Sequence, residues 1–312
     1  MTPPAASRTL RLGLIGAGPW GRNYIRTIAG MDGLSLARLA SRNPESAGLV
    51  GPGCEVSADW RAVIEAGDLD GVIVATPPST HAEIALAAIG QSLPVLVEKP
   101  MTLDPADADR IVGQAEAAGA IVKVDHVHLY AAAWEALKRQ AAGFGSLRAV
   151  TTEAGGWGPF RRETPMLWDW GSHDVAMCLD LVGRPPAEAR ARRREARDVE
   201  GGRGEVVDID LDFGGVTAAI TVGSLFPEER RLFAASFERG ALVYDDRADV
   251  KLRSGPSPGE AADPVPVAPG QPLARAVRSF AETVRKGRPD IADARLGAEV
   301  VRTLGRIDES LA

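Results

Sequence analysis

Lys99 follows the apolar run Val95-Leu96-Val97-Glu98 and precedes Pro100. A lysine just beyond the carboxyl end of a buried strand sits where open α/β sheets bind ligands. Its ammonium can donate to a substrate oxygen, and partial desolvation beside other cations would lower its pKa toward proton exchange. A second stretch, Leu167-Trp168-Asp169-Trp170-Gly171-Ser172-His173-Asp174, sets a carboxylate and an imidazole four residues apart, on one face if the segment is helical. That pair, Asp169 and His173, suits proton transfer, a metal pair or an ordinary helix contact. A third, Asp125-His126-Val127-His128, would point both rings the same way on a strand. Substrate contact by one ring, centred on His126, and packing at a domain boundary are preferred there to a metal site, and no metal is expected. Arg161, Arg162 and Glu163 are candidate substrate-side groups, or a solvated loop.

Gly16-Ala17-Gly18-Pro19-Trp20-Gly21 follows the β-prone run Leu10 to Ile15 and opens a segment with apolar residues at helical spacing. Gly16 permits a tight turn, Gly18 admits a pyrophosphate to the backbone amides, and Gly21 lets the helix pack close on the strand. A site for NAD usually carries a carboxylate about 20 residues on, at the end of the second strand. Here that position reads Leu39-Ala40-Ser41-Arg42, with no carboxylate until Glu45. Ser41 and the Arg42 guanidinium suit a 2′-phosphate, so NADP is favoured over NAD.

The elements that must hold these groups alternate. Strands are expected at Leu34 to Ala40, Gly71 to Ala75, Val95 to Val97 and Ile121 to Val124. Helices are expected at Glu45 to Val50, Trp60 to Ala66, His81 to Ile89 and Pro105 to Ala118. Alternation of this kind predicts a parallel sheet wound on both faces over the first 125 or so residues. After a helix at Ala131 to Ala142 come strands without intervening helices: Leu147 to Glu153, Ala187 to Arg197, Glu205 to Phe213, Val216 to Val222, Leu232 to Phe237 and Ala241 to Tyr244. These predict a mainly antiparallel sheet. Gly214-Gly215 reads as a hairpin turn, and Arg190, Arg192 and Arg194 as partners for the Asp208, Asp210, Asp212 row. Ser254 to Pro272 reads as an extended loop, and helical periodicity returns over Leu273 to Arg285 and Arg295 to Leu311.

With 312 residues, 45% hydrophobic and 25% charged, the chain suits two soluble domains rather than a disordered or fibrous protein. A net charge of -6 argues against a general nucleic-acid binder. Two distant cysteines, Cys54 and Cys178, support neither a disulfide framework nor a thiolate zinc site. With no signal-like N-terminus and no apolar run long enough to span a bilayer, a cytoplasmic location and no membrane partner are expected.

Taken together, the glycine motif, Ala75-Thr76-Pro77-Pro78 with His81, Glu98-Lys99-Pro100, Asp169-x-Gly171-x-His173 and the closing helices from Leu273 resemble the glucose-fructose oxidoreductase, inositol dehydrogenase and MocA-like family. The resemblance covers most of the chain. It implies an α/β protein: a Rossmann domain over 1–125, then a substrate-binding and oligomerisation α/β domain over 126–312, built on a mainly antiparallel open sheet. It further implies hydride transfer between nicotinamide and a hydroxyl-bearing carbon of a sugar, cyclitol or derivative, with a homodimer or homotetramer formed through that sheet. Lys99, Asp169 and His173 match the catalytic positions; with His126 they make up the expected substrate set. His173, or Lys99 with His173, would take the hydroxyl proton, with Asp169 orienting its partners. The expected cofactor set is Gly16, Gly18, Trp20, Gly21, Ser41, Arg42, Thr76, Pro77, His81, Glu98 and Lys99, although His81 also suits packing at a helix start. Trp20-Gly21-x-Asn23 and Trp168-Asp169 with His173-Asp174 are most similar to a branch that includes nucleotide-sugar 3-dehydrogenases, from which Ser41-Arg42 departs. A non-catalytic dinucleotide-binding regulator and a metal-dependent lyase or isomerase are the competing readings.

Overall fold

The computed structural model describes residues 8–160 and 164–311. Internal contacts divide the chain into two units, Met1–Asp125 with Leu273–Ala298, and His126–Pro272 with Glu299–Ala312. The break after Asp125 falls where the periodicity changes. The return of Leu273–Ala298 to the first unit differs from a second domain that runs unbroken from 126 to 312.

The first unit runs β1 (Leu10–Ile15), α1 (Pro19–Ala29), β2 (Leu34–Ala40), β3 (Glu55–Ser57), α2 (Trp60–Ile64), β4 (Gly71–Val74), α3 (His81–Gly90), β5 (Val95–Glu98), α4 (Pro105–Ala118) and β6 (Val122–Asp125). Its six strands lie in the order β3-β2-β1-β4-β5-β6 and pair in parallel throughout, the doubly wound order in which the chain reverses direction between β1 and β4. Val72, Ile73, Val95, Leu96 and Val97 are fully buried, as a sheet covered on both faces demands. Local chemistry sets the helix ends. Asp104 accepts the Ala106 N–H ahead of Pro105, and Gly119 closes α4 in the left-handed region at φ 58°.

The pairing of β5 with β6 ends at Glu98 opposite Asp125. His126 and His128 are therefore not on a strand: the chain turns into a 3₁₀ segment, Val127–Tyr130, because β5 offers no partner beyond Glu98. This corrects the expectation that the two rings share a strand face.

The chain reaches α7 (Pro272–Lys286) and α8 (Ala292–Leu311) only after completing the second sheet. In α7 the buried residues Leu273, Ala276, Val277, Phe280 and Ala281 form one stripe. A β-carbon on Gly71 would lie 2.9 Å from Phe280 Cζ, so this glycine makes room for the ring. Ile121 bridges Asp290 in parallel, and buried Lys123 pairs with Asp293 at 3.1 Å and Asp290 at 3.3 Å. Burial opposes that ammonium's charge, but the two carboxylates outweigh it and its pKa is raised.

The second unit adds α5 (Ala132–Ala141), β7 (Leu147–Trp157), α6 (Ser172–Val182), β8 (Glu188–Val199), β9 (Gly202–Asp212), β10 (Thr217–Gly223), β11 (Leu225–Phe237), β12 (Gly240–Asp245), β13 (Leu252–Gly255) and β14 (Asp263–Pro264). Its eight strands run β14-β13-β12-β11-β7-β10-β9-β8, antiparallel except where β7 meets β10. Gly214 and Gly215, at φ 69° and 94°, make the tight turn from β9 into β10. The Arg and Asp rows do face each other: Arg192 pairs with Asp208 at 3.0 Å, Arg194 also pairs with Asp208, and Arg190 turns to Glu188 at 2.7 Å. The expected loop from Ser254 instead carries the end of β13 and the short β14. Pro and Gly confined these pairings to two to four residues, too short for a periodicity signal.

Since Phe280 is fully buried against β4, Phe280→Ala should cost about 3–5 kcal/mol of folding stability, measured by chemical denaturation. A cost below about 1 kcal/mol would deny α7 its place in the first unit's core.

Candidate active site

Three backbone segments meet at the carboxyl edge of the parallel sheet. A β-carbon at Gly16 would fall 2.4 Å from the Ala75 oxygen, and one at Gly21 would fall 2.1 Å from the Gly16 oxygen. Neither position tolerates a side chain, and Gly16 has φ 103°. Gly18, in contrast, faces open space, with nothing within 4 Å of a β-carbon there. It precedes α1, whose N-terminus has no side-chain cap and no acidic residue in its first turn. An uncapped helix start beside an open glycine is an anion cradle, and the residues present fit a dinucleotide pyrophosphate.

The remaining members of the cofactor set border this edge. Trp20 is 39% exposed, unusual for so large an apolar side chain. Ser41 shares a hydrogen bond with Ser46 at 2.8 Å and accepts the Asn43 N–H, so its hydroxyl is already engaged, whereas Arg42 is exposed. Thr76 accepts from Thr80 at 2.7 Å, and Pro77 is exposed. Lys99 is half-buried after β5.

His81 and Glu98 lie deeper. The His81 ring is fully buried, with Nδ1 3.0 Å from the Pro100 oxygen and Nε2 2.9 Å from the Thr76 oxygen. It ties the turn after β4 to the turn that carries Lys99. Burial lowers its pKa against the pull of those carbonyls, which favours the neutral ring. The Glu98 carboxyl points not into open space but at the Tyr24 hydroxyl and the Lys99 backbone N–H. Tyr24, inside the apolar stripe of α1, gives no sequence signal of this role.

In the second unit, Leu167–Gly171 is a π-helical turn that leads into α6. Asp169 lies on that wider turn and His173 in the first turn of α6. The buried His173 ring meets His128 edge to face, centroids 4.8 Å apart. His126 is buried. Arg161, Arg162 and Glu163 lie outside the described residues. Among the described residues, no group of three or more His, Cys, Asp or Glu side chains is arranged to hold a metal ion. No helix there is long and apolar enough to cross a membrane.

Around His173 the structure adds Arg231 and Asp308, which the sequence did not single out. Asp174 is buried 3.7 Å from Arg231, whose guanidinium lies over the Trp170 ring at 4.9 Å. Trp168 donates from Nε1 to Asp308 at 3.2 Å. Trp170 and Trp168 flank Asp169, so both of its neighbours are held by side chains from distant elements.

An anion cradle on a six-stranded parallel sheet defines a dinucleotide-binding protein. The model of an oxidoreductase family with an NAD-binding Rossmann fold matches residues 10–126. A crystal structure from Magnetospirillum magnetotacticum MS-1, provisionally described as an oxidoreductase, superposes with a TM-score of 0.91 at 46% identity, covering 96% of this chain and 99% of that one. The chain belongs to the Gfo/Idh/MocA family of oxidoreductases. Inositol 2-dehydrogenase 4 of Saccharopolyspora erythraea is 37% identical over 139 residues, 43% of this chain and 41% of that protein. UDP-N-acetylglucosamine 3-dehydrogenase of Acidithiobacillus ferrooxidans is 30% identical over 189 residues, 58% of this chain and 57% of that protein. The matched stretch thus spans only about half the length of these curated relatives.

Burial raises the Asp174 pKa and the Arg231 charge pulls it back. Arg231→Met should therefore destabilise the fold by about 3–5 kcal/mol at pH 8, where Asp174 would be left charged and unpaired. The loss should be smaller at pH 5, where Asp174 can take up a proton. Denaturation midpoints at both pH values, with Arg231→Met/Asp174→Asn as the compensating variant, check this. Equal losses at both values would contradict it.

Proposed function

We propose that the protein is an NAD(P)-dependent dehydrogenase or reductase that transfers hydride between nicotinamide and a hydroxyl-bearing carbon of a sugar, cyclitol or sugar derivative. The observation that carries this reading is the open cradle at Gly18, with Lys99 on the same edge of the same sheet. When bound, the cofactor supplies the hydride acceptor or donor at its nicotinamide. This chain's residues hold the pyrophosphate on the Gly16 to Gly21 backbone and the α1 N-terminus, and they manage the proton.

Lys99 and His173 are assigned to the hydroxyl proton and Asp169 to orientation. An ammonium and an imidazole can each donate to a substrate oxygen, and either can take a proton as hydride leaves the carbon. In the reductive direction the same groups protonate the developing alkoxide. His126 is assigned to substrate contact. The names of the relatives, an inositol dehydrogenase and a nucleotide-sugar dehydrogenase, support polyol and sugar substrates without choosing between them.

NADP is the preferred cofactor in this reading, because Arg42 is exposed beyond β2 and Ser41-Arg42 stands where a carboxylate for the ribose hydroxyls would be. The engagement of Ser41 with Ser46 leaves most of that preference to Arg42. We further assign the protein to a homo-oligomer formed through the second unit's sheet, and to the cytoplasm.

Fluorescence titration of cofactor-free protein should give tighter binding of NADPH than of NADH. Arg42→Ala should weaken NADPH about tenfold and leave NADH nearly unchanged. Preference for NADH would overturn the NADP assignment. With myo-inositol and UDP-N-acetylglucosamine among the alcohols presented with oxidised cofactor, Lys99→Met should lower kcat at least about 100-fold with folding preserved. Undiminished turnover in that variant would remove Lys99 from the mechanism, and cofactor binding without turnover of any alcohol would favour a regulator.

A further inference from the structure

Tyr24 is fully buried on α1, and its hydroxyl meets two carboxylates at once. It lies 2.8 Å from Glu98 Oε1 and is hydrogen-bonded to Asp125 Oδ2. A phenol carries one hydrogen and can donate to only one of them. The second hydrogen bond requires a hydrogen from the carboxyl side. The three groups therefore hold two protons, one phenolic and one carboxylic, and carry one negative charge.

The sheet enforces this count. Glu98 and Asp125 stand opposite each other at the ends of β5 and β6, where parallel neighbours are about 4.8 Å apart, and they are only 5% and 0% exposed. Two carboxylates so close and so dry cannot both ionise readily. Burial pushes Asp125 up to about 7, the Tyr24 hydrogen bond opposes the shift, and Asp293 adds to it. Burial, then the Asp125 charge, holds Glu98 well above the usual carboxylate range, against the pull of Tyr24 and the nearby Lys99. Lys123 is the remaining cation on β6, paired with Asp290 and Asp293.

The second oxygen of Glu98 connects this group to the site. Oε2 accepts the Lys99 backbone N–H at 3.1 Å. We propose that Tyr24 and Asp125 are positioning residues for Lys99: with Glu98 they form a triad that keeps one carboxyl proton and, through Glu98, fixes the backbone from which Lys99 projects. The proposal rests on the role assigned to Lys99 above. When the shared proton leaves, two charged carboxylates compete for one phenolic hydrogen. One must then turn away, and Glu98 is the one tied to Lys99. Lys99 thereby becomes sensitive to pH through a fully buried tyrosine and aspartate behind it.

The chain has five lysines, so protein labelled with ¹⁵N-lysine gives few backbone signals, and Lys99→Arg identifies that of Lys99 by its loss. In the wild type this amide signal should move between pH 5.5 and 9.5 with a midpoint above that of Asp125, because the last carboxyl proton leaves only after the other carboxylate is already charged. In Asp125→Asn, which keeps the shape but removes the second charge, only Glu98 is left to titrate and the midpoint should fall. In Tyr24→Phe, where the ionised form loses its donor, the midpoint should rise by about one unit. A Lys99 amide that is flat with pH in the wild type, or that titrates identically in Asp125→Asn, overturns the proposal. Both variants are read only where circular dichroism matches the wild type, and the wild-type titration decides the matter if neither folds. If Lys99→Met turns over normally, the role of Lys99 falls and the proposal with it. If Lys99→Met is inactive while Asp125→Asn titrates like the wild type, the triad alone falls.

Discussion

The contact between Gly21 and the Gly16 carbonyl sets the depth at which α1 lies on its sheet. With a β-carbon there only 2.1 Å from that oxygen, any other residue would lift the helix. Two consequences follow from the close approach. The helix start faces the open space at Gly18, and one turn further on Tyr24 comes within hydrogen-bonding reach of β5 and β6. The cradle and the triad behind Lys99 are therefore two results of one steric constraint.

Each unit buries charge, and each balances it differently. The second unit places Arg231 against Asp174, and the pair lies beside His173 with its guanidinium on Trp170. Breaking it from one side leaves a charge without a counterpart, the expensive way to lose a buried ion pair. Among the described residues of the first unit no ion pair to Glu98 or Asp125 is seen, and a retained proton balances the two. Because folded Asp125 keeps its own proton to about 7, whereas an unfolded aspartate releases it near 4, the triad's contribution to stability falls as pH rises through that interval.

The parallel sheet was legible in the sequence because β1, β4 and β5 are apolar runs bounded by turns and separated by helix-period segments. The glycine cradle was legible because each glycine has a steric reason. β3, β13 and β14 were not legible, since pairings of two to four residues leave no periodicity to detect. His126 and His128 read as strand residues because their own alternation says so; the strand stops earlier because its neighbour does. The π-helical turn that carries Asp169 has no signature in residue type. Tyr24 escaped notice for a related reason: a tyrosine in an apolar stripe resembles core, and only the tertiary fold brings two acids to its hydroxyl.

The placement of Leu273–Ala298 in the first unit fixes an order of events during synthesis. Residues 10–125 leave the ribosome well before the helix that covers β4 and the segment that bridges Ile121. The whole second sheet is made in between. The nascent N-terminal unit must therefore wait, with the surface meant for Phe280 uncovered, until more than 140 further residues have been added, so its completion depends on contacts of very long sequence separation. A chain truncated before Leu273 would hold every cradle glycine, Lys99 and the whole triad, and still lack the cover over the core on which they stand.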